Sequence, residues 1–211
     1  MLETLLGAMA EIPAAEWVAV VFAFAYLVLA IRQNAWCWAC SMVSSAIFLV
    51  LFARGGLVMQ AGLQVFYVAM AVYGWWAWRR GGDGAQPVLP VRRWPLRWHL
   101  LAMAAIAVVS VVNGRWVAGA GSNDVVPYVD ALTAWVSVFA TWLVARKVLE
   151  NWLYWIVIDM VAAALYFTQG LHATAVLFVV YSLAAIRGYR QWQADYRREG
   201  LGQTGGAHAW R

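Results

Sequence analysis

The sequence predicts an all-helical membrane protein with seven transmembrane helices, and three observations carry that reading. The chain of 211 residues is 64% hydrophobic and 12% charged, with a mean hydropathy of +0.67. Soluble domains hold about a quarter of their residues as charges, because a water-facing surface needs them. Apolar runs long enough to cross roughly 30 Å of hydrocarbon recur along the chain, and the basic residues fall almost wholly on one side of those runs. A soluble domain and a disordered chain are thereby excluded, and two cysteines, Cys37 and Cys40, are too few for a disulfide scaffold.

The runs lie at 15–31, 35–53, 57–78, 99–118, 127–145, 151–169 and 171–187. Pro13 suits a helix start near Ala14. The first 14 residues hold Glu3 and Glu11 and no Lys or Arg, so they lack the positive region of a cleavable signal peptide and the first span is expected to stay in the mature protein. Orientation follows from the loops, since cytoplasmic ones keep Lys and Arg. Thirteen basic residues, among them Arg32, Arg79, Arg93, Arg146, Lys147 and Arg187, share the side of the C-terminus, and only Arg54 and Arg115 lie opposite. The N-terminus is expected outside and the C-terminus in the cytoplasm. Reporter fusions check this: one after Arg211 reads cytoplasmic and one at the N-terminus periplasmic, whereas both ends on one side would remove the odd number of spans. The net charge of +5 is thus a membrane signal, since no aromatic-interleaved basic patch points to nucleic acid.

Four segments are expected: a first three-helix bundle at 15–78, a cytoplasmic linker with helix four and an outer loop at 79–126, a second bundle at 127–192, and a cytoplasmic tail at 193–211. Gly, Pro and Arg together break the helix over 79–98. Residues 198–211 end in a Gly-rich tail without a packing pattern and are expected to be disordered.

An internal repeat organises the chain. A shift of 114 residues pairs Glu16 with Asp130, Arg32 with Arg146, Trp38 with Trp152, Gly56 with Gly170, Tyr67 with Tyr181, Gly74 with Gly188 and Trp78 with Trp192, without a gap. Spans one to three therefore match spans five to seven. With span four as an odd linker, the two halves point the same way, a 3+1+3 parallel repeat about an axis along the membrane normal. Two like bundles make a central cavity the default ligand site.

Polar groups inside the spans say what such a site would hold. A charge at mid-bilayer is costly, and Asp159 lies near the middle of span six. Trp152, Trp155 and Asp159 share one helix face, and their mates on span two are Trp38, Ser41 and Ser45. Span three aligns Gln60, Gln64 and Tyr67, while span seven aligns Thr174, Phe178 and Tyr181. Aromatic faces with one carboxylate and several hydrogen-bonding groups suit a flat, cationic, polar-substituted ring. The alternative is that the Trp residues near 36, 38, 152 and 155 form an interfacial belt and Asp159 a polar helix contact. Asp159 favours the ligand reading because no basic residue lies within its span, whereas Trp75, Trp76 and Trp78 favour the belt.

Glu16 and Asp130 sit near outer helix ends, where an acid gains from the helix N-terminus, so a cap or outer gate is expected. The Cys37–Cys40 pair lies on an apolar helix and is followed by Ser41, which excludes haem attachment and leaves two packed thiols. His99, His172 and His208 are scattered among loops and tail without metal-site spacing. No phosphate loop or nucleophile motif occurs, so neither an enzyme nor a cofactor is expected.

The segments LQVFYVAMAVYGWWAW (63–78), RKVLENWLYWIVIDMV (146–161) and QGLHATAVLFVVYSLAAIRGYRQW (169–192) resemble the two signature stretches of the PnuC family of bacterial vitamin transporters. The likeness spans about 15–192, and the paired G-x-x-x-W endings and the N-W-x-x-W-x-x-x-D run are its most specific parts. The resemblance implies a SWEET-like fold of three plus one plus three helices and a homotrimer in the inner membrane. It also implies facilitated diffusion of a small vitamin, most often nicotinamide riboside, without a cofactor. It implies further that Trp152, Trp155 and Asp159, with Gln64 and Tyr67, line the substrate path. The first half reads NAWCWACSMVSS, with Ser41 and Ser45 and no Asn after Asn34, where relatives often carry further Asn. The vitamin therefore stays open among nicotinamide riboside, thiamine and riboflavin, and a membrane-embedded sensor or structural subunit is the alternative of another class.

Overall fold

Runs of Ala, Leu, Val and aromatic residues, with Pro only at their ends, leave the helix as the one local structure that satisfies its own backbone in lipid. The computed structural model describes residues 14–80, 89–119, 125–168 and 170–206. Its helices are α1 (Ala14–Ile31), α2 (Trp36–Arg54), α3 (Val58–Arg80), α4 (Leu96–Ala118), α5 (Val126–Ala145), α6 (Asn151–Thr168) and α7 (His172–Gly206). Among the described residues, α1, α2, α4, α5 and α6 are long and apolar enough to cross a membrane. Helix α3 is about 35 Å long at 1.5 Å per residue, but Gln60, Gln64 and its arginine end make it more polar. Helix α7 continues past the expected end of its span to Gly206. The expected disorder of the tail from 198 therefore does not extend to Arg198, whose guanidinium lies 3.8 Å from Asp195 one turn earlier. The first 13 residues, 81–88, most of the outer loop and the last five residues lie outside the described residues.

The chain divides into two compact units, Met1–Arg79 and Arg80–Arg211. In the first, Ser44 Oγ donates to the Ala19 carbonyl at 2.9 Å and ties α2 to α1. The Trp38 ring, 0% exposed, stands edge-on to Trp78 at 5.6 Å and 88°. It also occupies the space beside Gly74, where a Cβ would collide with its ring. In the second unit, Trp152 is 2% exposed, meets Trp192 at 5.5 Å and 89°, and would lie 2.7 Å from a Cβ on Gly188. Glycine is required at both positions by the close approach of a tryptophan to the facing helix.

The helix stops repeat in the same register. Gln33 (φ 54) and Lys147 (φ 50), and likewise Gly56 (φ 72) and Gly170 (φ 78), are left-handed, and the members of each pair stand 114 residues apart. Each closes a Schellman turn. Asn34 N–H donates to Leu29 O and Val148 N–H to Leu143 O, both at 2.9 Å, while Leu57 N–H donates to Phe52 O and Leu171 N–H to Tyr166 O, also at 2.9 Å. The turn geometry thus keeps the offset that the residues show, including two positions where no glycine supplies the left-handed backbone.

Helix α4 belongs to the second unit. Gly114 admits the Tyr128 ring of α5, and Met103 and Ile106 pack against Val136, Ala140 and Ile158. Ahead of α4, a short strap pairs with the α5–α6 turn: Arg92 N–H donates to Lys147 O at 3.0 Å and Leu149 N–H to Arg92 O at 2.9 Å. The sequence reads this stretch as linker, and the structure orders its second half.

Candidate functional site

The face of α6 turned toward α7 is a ladder with a rung every two turns. Trp152 faces Gly188, and Asp159, seven residues on, comes within electrostatic reach of Tyr181, seven residues before Gly188 on the antiparallel helix. Beyond it Tyr166 stacks on Phe178 at 5.4 Å and 15°, and Phe178 meets Tyr181 edge-on at 6.0 Å. Tyr181 thus stands between Phe178, which it meets edge-on, and the electrostatic reach of Asp159. Asp159 is 6% exposed, and among the described residues no ion pair or hydrogen bond reaches its carboxylate. Ser182 Oγ, the next residue on α7, donates to the Ile156 carbonyl at 3.5 Å and holds the two helices in this register.

Trp155 is half-buried and packs against the Val136, Ala140 and Ile158 cluster, so it stands beside the Asp159 face. Trp38 and Trp152 are consumed by helix packing within their own units, with both indole N–H groups buried and, among the described residues, without an acceptor. A packing role accounts for each, which the shared face with Ser45 or Asp159 could not reveal. In the first unit Ser45 is buried, Ser41, Gln64 and Tyr67 are half-buried, and Gln60 is exposed. Tyr67 lies edge-on to Phe66 at 5.7 Å and within electrostatic reach of Tyr26. Its unit carries no carboxylate matching Asp159.

Glu16 is half-buried in the first turn of α1. Asp130 is exposed and falls one residue past the first turn of α5, so the helix end favours Glu16 more directly. Cys37 is buried and Cys40 half-buried, with no disulfide between them, and no group of metal-binding side chains occurs among the described residues.

Sequence reasoning passed over Glu150. Its carboxylate accepts from Arg93 Nε at 2.9 Å and from the Trp94 backbone N–H at 3.2 Å, and the bond from Arg93 raises that guanidinium above its already high pKa. His99, read as a loop residue, lies in the first turn of α4 with Nδ1 3.0 Å from Tyr154 Oη. A glutamate directly before a span was the available signal, since such an acid also meets a helix N-terminus.

The helices and their buried, unpaired carboxylate define a multi-pass all-helical membrane protein with a polar face inside its second unit. The chain belongs to the family described as Nicotinamide mononucleotide transporter, whose pattern it matches over residues 13–194. It is 32% identical over 188 residues to the riboflavin/roseoflavin transporter RibM of Streptomyces davaonensis, covering 87% of this chain and 86% of that one. It is 25% identical over 182 residues to the nicotinamide riboside transporter PnuC of Escherichia coli, covering 75% and 76% of the two chains. The crystal structure of a vitamin B3 transporter PnuC has the same fold, with a TM-score of 0.69 at 22% identity over 93% of this chain and 88% of that one.

Proposed function

We propose that the chain is a carrier for a flat, cationic vitamin, with nicotinamide riboside as substrate, passed into a bacterial cell across the inner membrane by facilitated diffusion. The observation that carries this reading is the buried Asp159 carboxylate, without an ion-pair partner among the described residues and within electrostatic reach of Tyr181, which Phe178 meets edge-on. A buried carboxylate calls for a counter-charge, and a cationic ring ligand supplies it while the aromatic groups meet its face. In this assignment Asp159, Tyr181, Phe178 and Trp155 are the substrate-binding residues of the second unit, and Ser41, Ser45, Gln60, Gln64 and Tyr67 are those assigned within the first. Trp38 and Trp152 shape the face by packing, and Glu16 and Asp130 gate or cap the outer ends. The repeated turn geometry supports a SWEET-like 3+1+3 parallel repeat with α3 and α7 spanning as well, and the loop charges support an outside N-terminus. A homotrimer follows from the resemblance.

A second reading, riboflavin as substrate, is favoured by the 32% identity to RibM. A thermal-shift panel of the purified protein with nicotinamide riboside, thiamine and riboflavin separates the two. A true ligand at about 100 times its Kd stabilises by roughly 2.7 kcal/mol. Stabilisation by nicotinamide riboside supports the cation reading, stabilisation by riboflavin alone replaces it, and absence of flux of all three into proteoliposomes removes the carrier.

A further inference from the structure

Arg93, His99, Glu150 and Tyr154 form a cluster of polar side chains that the substrate face does not use. Glu150 is 9% exposed and stands one residue before α6. One of its oxygens accepts from Arg93 and the other from the backbone of Trp94. That second oxygen lies 4.0 Å from His99 Nε2 of α4, and His99 reaches α6 again through Tyr154. The Trp94 ring closes the cluster against Trp142 at 5.2 Å and Phe139 at 6.2 Å on α5. A single parallel bridge between Arg92 and Val148 runs beneath it. The first half has no counterpart, since the positions matching Glu150 and Tyr154 are Trp36 and Cys40, and Trp36 is 63% exposed.

Resting on the carrier reading above, we propose that Glu150 is a positioning residue that latches the strap 91–94 and the first turn of α4 to the start of α6. The strap, α4 and the α6 face bearing Asp159 then move as one body during transport. One carboxylate takes partners from the strap and faces α4, and it sits at the N-terminal end of α6, where the helix dipole favours its charge. Opening the latch would strand a buried carboxylate, so contacts elsewhere yield first.

Two measurements test the latch. In hydrogen exchange on the full-length protein in detergent, Glu150→Gln keeps an acceptor for Trp94 but loses the charge that holds Arg93. Exchange is expected to speed up together in the strap, in the first turn of α4 and at the start of α6, by about tenfold in each. Faster exchange confined to the strap overturns the proposal, because Glu150 would then pin only a loop. The second measurement uses Arg92→Cys with Val148→Cys in a background of Cys37→Ala and Cys40→Ala. A disulfide at the bridge locks the latch shut, and nicotinamide riboside uptake into proteoliposomes is expected to stay within about twofold of the reduced protein, as for segments that already move as one unit. An oxidative loss of about tenfold or more that reductant reverses shows that the strap must open, and overturns the single body. A parent protein that carries no nicotinamide riboside defeats the substrate reading, while the exchange pattern still decides the latch.

Discussion

Gly74→Ala and Gly188→Ala each destabilise the purified protein by about 1–3 kcal/mol or more, with Gly74→Ala the more severe. The added methyl meets the ring of Trp38 or Trp152, and each ring is already fixed edge-on against a second tryptophan. A flexible side chain could swing away, but a buried indole cannot leave without dragging its helix. The converse substitutions, Trp38→Ala and Trp152→Ala, open cavities where the largest buried side chains stood and cost about 3–5 kcal/mol. Thermal unfolding followed by helical circular dichroism measures both sets. Combining Gly188→Ala with Trp152→Phe is expected to recover part of the loss, because the smaller ring leaves room for the methyl. A Gly74→Ala protein as stable as its parent would show that the packing yields.

Asp159→Asn is expected to weaken nicotinamide riboside binding by about 2–5 kcal/mol, with the smaller loss if water reaches the carboxylate. Asn keeps the shape and an acceptor but removes the charge, so riboflavin, which is neutral, is expected to lose much less. The pH dependence has a matching sign: a proton on Asp159 removes the same charge, so binding of the cation weakens as pH falls through the titration of that carboxylate. The Asn variant has no such step. Titrations of both proteins with both vitamins across pH measure it. Equal affinity and equal pH profiles in parent and variant would make Asp159 a helix contact without a ligand role. Ser45→Ala, at the matching position of the first half, loses a hydroxyl and no charge, and serves as the mild control at about 1 kcal/mol.

Much of this architecture was legible because lipid removes alternatives. Where backbone groups cannot turn to water, an apolar run must be helical, and the helix ends follow the runs to within two residues in all but α4 and α7. Helix α4 begins three residues early because Pro95 ends the strap and leaves Leu96 free to start the first turn. Helix α7 runs on because beyond the bilayer a charged surface is no obstacle to a helix. The offset of 114 residues was legible too, and the left-handed residues and Schellman turns repeat it.

Two parts of the candidate site could not be read ahead. Tryptophans at helical spacing serve a ligand face and a packing seam equally well, and only the facing glycines decide between them for Trp38 and Trp152. The strap was hidden because its pairing with residues 147–149 uses backbone groups, which every residue carries, across more than fifty positions of chain. For the same reason Glu150 looked like one more loop charge, although its partners were within a few residues of one another in the linker.

The paired helix stops carry a consequence for how such a gene can change. Each inserted or deleted residue inside a helix turns everything beyond it by about 100°, which would swing the Trp38 or Trp152 seam away from its glycine and Asp159 away from Tyr181. Single-residue length changes within α2, α3, α6 and α7 are therefore barred while substitutions stay open. The matched positions differ by substitution alone: Ser45 stands where Asp159 does, Trp36 where Glu150 does, and Gln64 where Phe178 does. One half carries the charges, and the two keep the same length over the matched stretch.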